Sequence, residues 1–584
     1  MKIPSLTLAA ALCSVVLIVA AKTRGPKSGH ILHSYERVML TDTYFSEGVN
    51  AGDIDNDGAI DIVHGPFWFS GPDFRKKHPI YKAAPQNRDR YANNFFSWTY
   101  DFDDDGWLDV FTVGFPGTPA HVYRSPGQDG FEKPWVKHEV FDWVSNEAPH
   151  FIDLVGDDKP ELVCTRDGYF GYATINWSAP FEKWTFHKVS PQTAPSRFGH
   201  GLGVGDLNGD GRADILMKSG WFEQPAKVAG DPPWSHHKVP FAPRGGAEMY
   251  AYDVDGDGDR DVITSLAAHD FGLSWFEQTP KGFVEHLIMG DRPALNKYGV
   301  VFSEPHSVQL ADMDGDGLKD IVTGKTYWSH HRKSPGWDDG AVVYWFKLVR
   351  HKDSVDWIPM KADGESGIGR QIIIKDLNGD NLPDILVGGM KGAHALIHRA
   401  KPVDKATWQA AQPKPIEKVE SPMATGKPAP IDEATGAVPD ALEGEKLVAS
   451  AKVTGGSLGA QNMKNFSGAR WSGNAQLFWK GGKVGDRLAI EIPAGEAGAY
   501  VLETVFTRAP DYGIVQLAFD GKDLGSPIDL YDFSKVSSTG VLTFPTGRLA
   551  SGAHHLSVRI TGANPNARQS RFIGLDYVRL SPAK

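Results

Sequence analysis

Seven acidic nine-residue segments recur between residues 53 and 384, and nothing else in the chain constrains its fold as tightly. They read DIDNDGAID from Asp53, DFDDDGWLD from Asp101, DLVGDDKPE from Asp153, DLNGDGRAD from Asp206, DVDGDGDRD from Asp253, DMDGDGLKD from Asp312 and DLNGDNLPD from Asp376. Their first residues stand 47 to 64 positions apart, close to the length of one four-stranded propeller blade. After each loop comes a short apolar run such as DIVHG, DILMK or DIVTG, and then an aromatic one such as GWFEQP or VVYWFKL, the texture of buried strands. The pattern predicts an all-β chain with a seven-bladed propeller over residues 30–400. SYERVML, ahead of the first loop, reads as the outer strand of a last blade whose inner strands end near Ile397, a closure that removes sheet edges.

Oxygen-bearing side chains at positions one, three, five and nine, with a turn-forming glycine at position six, suit a hard cation of calcium size. The expected ligands are Asp53, Asp55, Asp57 and Asp61 in the first loop and Asp101, Asp103, Asp105 and Asp109 in the second. Asp206, Asn208, Asp210 and Asp214 serve the fourth, and Asp253, Asp255, Asp257 and Asp261 the fifth. Asp312, Asp314, Asp316 and Asp320 serve the sixth, and Asp376, Asn378, Asp380 and Asp384 the seventh. The third loop has Val155 at a ligand position and Asp158 at the turn, so its site is expected to be weak or empty. The seventh has Asn381 at the turn, where asparagine tolerates positive φ. There is no glutamate at position twelve and the flanks look like strands, which argues against an EF-hand.

The 584 residues exceed one domain. Residues 1–21 carry Lys2, an apolar stretch and the pair Ala20 and Ala21, and read as a secretory signal cut after Ala21, with an uncleaved anchor as the alternative. The mature chain is expected to be secreted, periplasmic or at the cell surface, without stable membrane insertion. Cleavage removes Cys13 and leaves Cys164 alone, so no intrachain disulfide can form. A net charge of −11, with acid gathered in the loops, argues against a nucleic-acid partner. Oligomeric state leaves no signal in the sequence.

If the strand entering each loop is innermost, its residues line the central channel. Six positions before the first aspartate stand Glu47, Glu147, His200, His306 and Arg370, with Glu248 one place later in its repeat; three before it stands His150. The strand leaving each loop ends on the same face at Arg166, Lys218 and Lys325. Carboxylates, imidazoles and cations around one mouth, opposite the metal loops, would suit a polar ligand, an acid–base pair or an additional transition metal. Glu147, His150, His200 and His306 are the catalytic candidates. Glu47, Arg166, Lys218, Glu248, Lys325 and Arg370 are the ligand-binding ones.

The repeated loops resemble the FG-GAP or VCBS family, whose propellers also form integrin α-subunit heads; the resemblance implies the fold and leaves function open. PHSVQLADMDGDG around His306 and GHGLGVGDLNGDG around His200 are also similar to the propeller of the fungal aldos-2-ulose dehydratases, lyases that remove water from oxidised sugars with metal-assisted chemistry. That resemblance implies metal binding or proton transfer at Glu147, His150, His200 and His306, although this chain lacks those enzymes' cupin-like remainder.

Residues 401–440 are rich in Pro, Ala, Lys and Glu and read as an extended linker, and residues 441–584 as a jelly-roll β-sandwich of about eight strands. EGEKL, GAYVLETVFT, GIVQLAFDG and GLDYVRL resemble the carbohydrate-binding sandwiches appended to secreted glycan enzymes. The resemblance implies a structural calcium on Glu443, Glu445 and Asp576. Sugar faces stack on exposed rings, which makes Trp471, Trp479 and Tyr512 candidates, with Phe478 and Tyr531 in the same pool. Three functions compete. The first is a carbohydrate- or glycoconjugate-binding protein stabilised by calcium, the second a lyase or dehydratase acting on a sugar derivative at the channel mouth, and the third an adhesion protein. No nucleophile elbow, phosphate-binding glycine loop or HExxH supports a hydrolase or nucleotide reading.

Overall fold

The computed structural model describes residues 29–583 except 292, 294–295, 329–331, 353, 417–423, 427–430, 467, 533–535, 565–566 and 569. The expected signal segment lies outside them. Six consecutive antiparallel meanders of four strands follow one another, the first being Val49–Gly52, Asp61–His64, Phe67–Phe69 and Lys77–Pro79 and the sixth ending with Ser354–Asp363. The seventh blade takes three strands from Ile372–Lys375, Asp384–Gly389 and Gly392–Val403, and its outer strand from the start of the chain, His30–Thr41. That closing pair is antiparallel, with Tyr35 opposite His398 and Glu36 opposite Ile397. Blades four and five are also joined at their inner strands by a parallel step that sets Leu202 against Glu248.

Apolar side chains between neighbouring blades form the core. Phe95, Phe111, Phe141, Leu162 and Trp184 fill the space between blades two and three, and Val254, Ile263, Trp275, Ile321 and Phe346 that between blades five and six. Each acidic loop turns through a residue with positive φ, a glycine in most repeats; Asp158 (φ 64°) and Asn381 (φ 63°) occupy it in the third and seventh. Asp and Asn bear this conformation better than other non-glycine residues.

The ninth position of each loop does something the motif alone did not disclose. Asp320 is fully buried, and its two oxygens accept the Met313 N–H (3.0 Å) and the Leu348 N–H (2.9 Å), tying its loop to the third strand of the blade. Asp61, Asp109, Asp214, Asp261 and Asp384 repeat both contacts. Glu161, in the third loop, bonds the loop side through Leu154 and Val155 N–H, with no bond to the third strand among the described residues. The position is therefore a backbone clamp whose remaining lone pairs can still face a cation. Asp320→Ala leaves two buried N–H groups unpaired and is expected to cost about 3 kcal/mol. Denaturant unfolding of the variant checks this, and Asp320→Asn, which keeps one acceptor, should lose less.

The chain leaves the seventh blade through a helix, Lys405–Ala411, where the sequence suggested extended linker. Asp404 caps it by accepting the Thr407 N–H (2.9 Å), and Trp408 stacks on His30 at 5.0 Å between ring centroids. The sandwich also begins before residue 441, since Ala424–Gly426 already pairs with Val541–Leu549. Its two sheets enclose Trp479, Leu502, Phe506, Leu517, Val558 and Leu575. Among the described residues no helix is long and apolar enough to cross a membrane.

Candidate active site

The residues six places before each loop meet at the centre of the ring. Arg370 of the seventh blade reaches Glu147 of the third, with Nε donating to Oε2 at 3.1 Å. The same Oε2 lies 3.4 Å from His306 Nε2 of the sixth blade. His306 meets His200 of the fourth blade with ring centroids 5.0 Å apart. A third imidazole, His269, completes the group at 4.5 Å from His200 and 4.9 Å from His306. The three planes stand 72° to 77° to one another, and one nitrogen from each lies within 4.8 Å of the other two.

His269 belongs to the turn between the second and third strands of blade five, outside the repeat alignment. Three contacts hold that turn over the channel: Ala268 N–H to the Gly245 carbonyl (2.8 Å), Glu304 N–H to the Asp270 carbonyl (2.6 Å), and an ion pair between Arg244 and Asp270. Gly245, at φ 84°, packs against His200 so closely that a Cβ there would stand 2.7 Å from the histidine's own. The His200 and His269 Nε2 atoms are 2.7 Å apart, and both His306 ring nitrogens lack a hydrogen-bond partner among the described residues. Burial, with the charges of Arg370 and Lys218, pushes His200 down to about 3. Burial, Arg370 and the two neighbouring imidazoles hold His306 well below the usual range. Three imidazoles whose ring nitrogens converge this closely are a donor set that a divalent transition metal takes.

Not every expected residue joins this group. His150 lies three places before its loop, and its Nε2 is taken by the Leu202 carbonyl of the next blade (3.1 Å). Glu248 is buried and accepts the Val308 N–H (2.8 Å) and the Ser307 hydroxyl (3.1 Å), also across a blade boundary. Both are inter-blade clamps, as is Asn50, whose amide donates to the Ser97 carbonyl (2.7 Å). Arg166 pairs with Asp142 (2.7 Å) and stacks on Phe141 and Trp143, so its charge is met within its own surface cluster. Lys325 is fully buried and donates to the Ser303 hydroxyl (3.0 Å). Lys218 does stand beside His200, its Cβ 3.1 Å from where a side chain on Gly201 would start. Glu47 lies under Arg370 and accepts from the Tyr44 hydroxyl.

In the sandwich, burial overturns the expected sugar platform. Trp471 (3 % exposed), Trp479 (0 %) and Tyr512 (4 %) are core residues. Trp471 donates to Thr507 Oγ1 and Trp479 to the Gly455 carbonyl, both at 2.8 Å. Tyr531 is buried too, and Phe478 packs on Tyr512 and Phe572. Glu443 and Asp576 converge on Ser472, which bonds Glu443 Oε1 through its hydroxyl (2.7 Å) and Asp576 Oδ1 through its N–H (3.0 Å). Burial and the adjacent Glu443 raise Asp576 to about 8. One oxygen each of Glu443 and Glu445 is buried without a partner among the described residues, a set that fits a hard cation.

In the loops, one oxygen from each of three carboxylates converges in Asp53, Asp55 and Asp57, in Asp101, Asp103 and Asp105, in Asp253, Asp255 and Asp261, and in Asp312, Asp314 and Asp316. Arg124 pairs with Asp103 (2.6 Å) in the second of these, and Lys347 with Asp314 and Asp316 in the sixth loop.

Residues 153–217 match the family model described as FG-GAP-like repeat. Human integrin alpha-IIb is 22% identical over 362 residues, which span 55% of this chain and 29% of that one. This chain therefore accounts for less than a third of that relative's length. Among solved structures, an exo-beta-1,3-galactanase from Phanerochaete chrysosporium is 11% identical, with 83% of this chain and 95% of that one covered and a TM-score of 0.20. A family 35 carbohydrate binding module from Clostridium thermocellum is 13% identical, with 24% of this chain and 98% of that one covered and a TM-score of 0.17.

Proposed function

We propose that this chain of FG-GAP-like repeats is an exported, calcium-stabilised enzyme that eliminates water or an alcohol from a sugar derivative at a three-histidine metal centre in its propeller channel. The observation that carries the reading is the convergence of His200, His269 and His306 beside Glu147. Binding without catalysis, which the sequence favoured, gains little from the sandwich, because Trp471, Trp479 and Tyr512 are buried. Adhesion rests on the integrin similarity alone.

His200, His269 and His306 would hold a divalent ion, and the chemistry it would supply is polarisation of a substrate oxygen, which would acidify the neighbouring C–H. Elimination then requires a base to take the carbon-bound proton, the C–O bond on the adjacent carbon to break, and the departing oxygen to receive a proton, leaving a carbon–carbon double bond. Glu147 is the group placed to act as base. Arg370 orients its carboxylate through Oε2, the oxygen that also faces His306. His200 and His269 are partly exposed while His306 is buried, so substrate approaches from the His200 and His269 side.

A screen of oxidised sugars, glycosides and polysaccharides, read as new absorbance near 235 nm or as loss of water by mass spectrometry, tests the reading. Turnover that disappears in Glu147→Gln is the expected result. Saturable glycan binding with no product from any substrate would return the protein to the binding class.

A further inference from the structure

We infer that the sugar taken by this channel carries a carboxylate, and that Arg370 is the residue that receives it. The inference rests on the proposed channel site and goes beyond it by naming the substrate's charge. Arg370 is fully buried, and a guanidinium does not shed its proton inside a protein. Its Nε is fixed by Glu147, and its plane lies over Tyr91 and Phe95, with centroid distances of 4.9 and 5.7 Å. Nη1 and Nη2, the two prongs that grip a planar carboxylate, have no hydrogen-bond partner among the described residues. A buried charge with both prongs unbonded is costly unless something else completes it.

Neither nearby carboxylate hydrogen-bonds the two prongs, although Glu47, whose Oε2 also lacks a hydrogen-bond partner among the described residues, shares the Arg370 charge. Glu147 faces Arg370 through the oxygen that also faces His306. Glu47 accepts from the Tyr44 hydroxyl, whose oxygen in turn accepts the Ala92 N–H (2.7 Å). Charge points the same way. Imidazoles that ligate a divalent ion bring no negative charge, Glu147 and Glu47 are the carboxylates at Arg370, and Lys218 adds a further positive charge beside His200. A loaded centre is therefore net positive and fits an anionic sugar better than a neutral one. A carboxylate anchored at Arg370 would also acidify the adjacent C–H, which is the proton Glu147 is placed to take.

The test uses the full mature chain loaded with Zn²⁺, its metal content measured first, and isothermal titration of glucuronate, glucuronate methyl ester, glucose and inorganic sulfate. Glucuronate should bind at least tenfold tighter than the other three. Arg370→Lys, which keeps the charge but loses the fork, should erase that preference while retaining zinc. Equal affinity for glucuronate, its ester and glucose would overturn the inference, as would sulfate binding as tightly as glucuronate or a preference unchanged in the variant. If Arg370→Lys does not fold, the four ligands on the unaltered protein still decide. Absence of zinc from the unaltered protein would instead sink the three-histidine reading, which keeps the two failures apart.

Discussion

His269→Ala is expected to abolish both bound transition metal and turnover while leaving the fold intact. The residue sits on a turn rather than in a blade strand and is partly exposed, so its loss leaves no large cavity. Two imidazoles in place of three should weaken metal binding by a hundredfold or more, and a protein purified without added metal should then contain almost none. Metal analysis by mass spectrometry, with circular dichroism as the control for folding, measures this. His200→Ala and His306→Ala should behave alike in metal content, and His306→Ala should also lower stability because that ring is buried. His150→Ala separates this centre from the wider set of channel histidines. Its ring serves the Leu202 carbonyl, so the variant should keep its metal and lose only inter-blade stability. Full metal occupancy in His269→Ala would refute the centre.

Stripping the loops with a calcium chelator is expected to lower the melting temperature by about 15 °C, since each filled site contributes about 2.7 kcal/mol when the ion stands at a hundred times its dissociation constant. The loss should stop short of complete unfolding at room temperature. Arg124 and Lys347 already neutralise carboxylates in the second and sixth loops, and the ninth-position clamps persist without an ion. The first loop has no salt bridge to a lysine or arginine among the described residues, so Asp53, Asp55 and Asp57 should repel one another most when emptied. Scanning calorimetry with and without chelator, followed by calcium readdition, decides this. An unchanged transition would mean that the acidic loops are only solvated turns.

The fold was legible because it is periodic. One loop motif, seven times over, fixes the strand order, and the column six places before each loop led to Glu47, Glu147, His200, His306 and Arg370, which the structure gathers at the channel. The same periodicity hid what lies off its grid. His269 stands in a turn that belongs to blade five alone; the only trace in the sequence is that this turn, residues 266–272, is long and carries an adjacent His and Asp. Periodicity also cannot tell a channel-facing side chain from one that leans across to the next blade, which is why His150 and Glu248 looked like site residues. Arg166 shows a third limit, because a long side chain at a strand end goes where its nearest carboxylate is. In the sandwich, a tryptophan in a strand reads the same whether its ring is a platform or a core filler. Of the adjacent pair Phe478 and Trp479, the tryptophan is the sealed one.

The clasp between His30–Thr41 and Gly392–Val403 also sets the order of events when the protein is made. His30–Thr41 finds its partner only after about three hundred and fifty further residues have been made. Until then the seventh blade lacks its outer strand and the ring is a row of blades with an open seam. The ring can be fastened only once the whole propeller has been made.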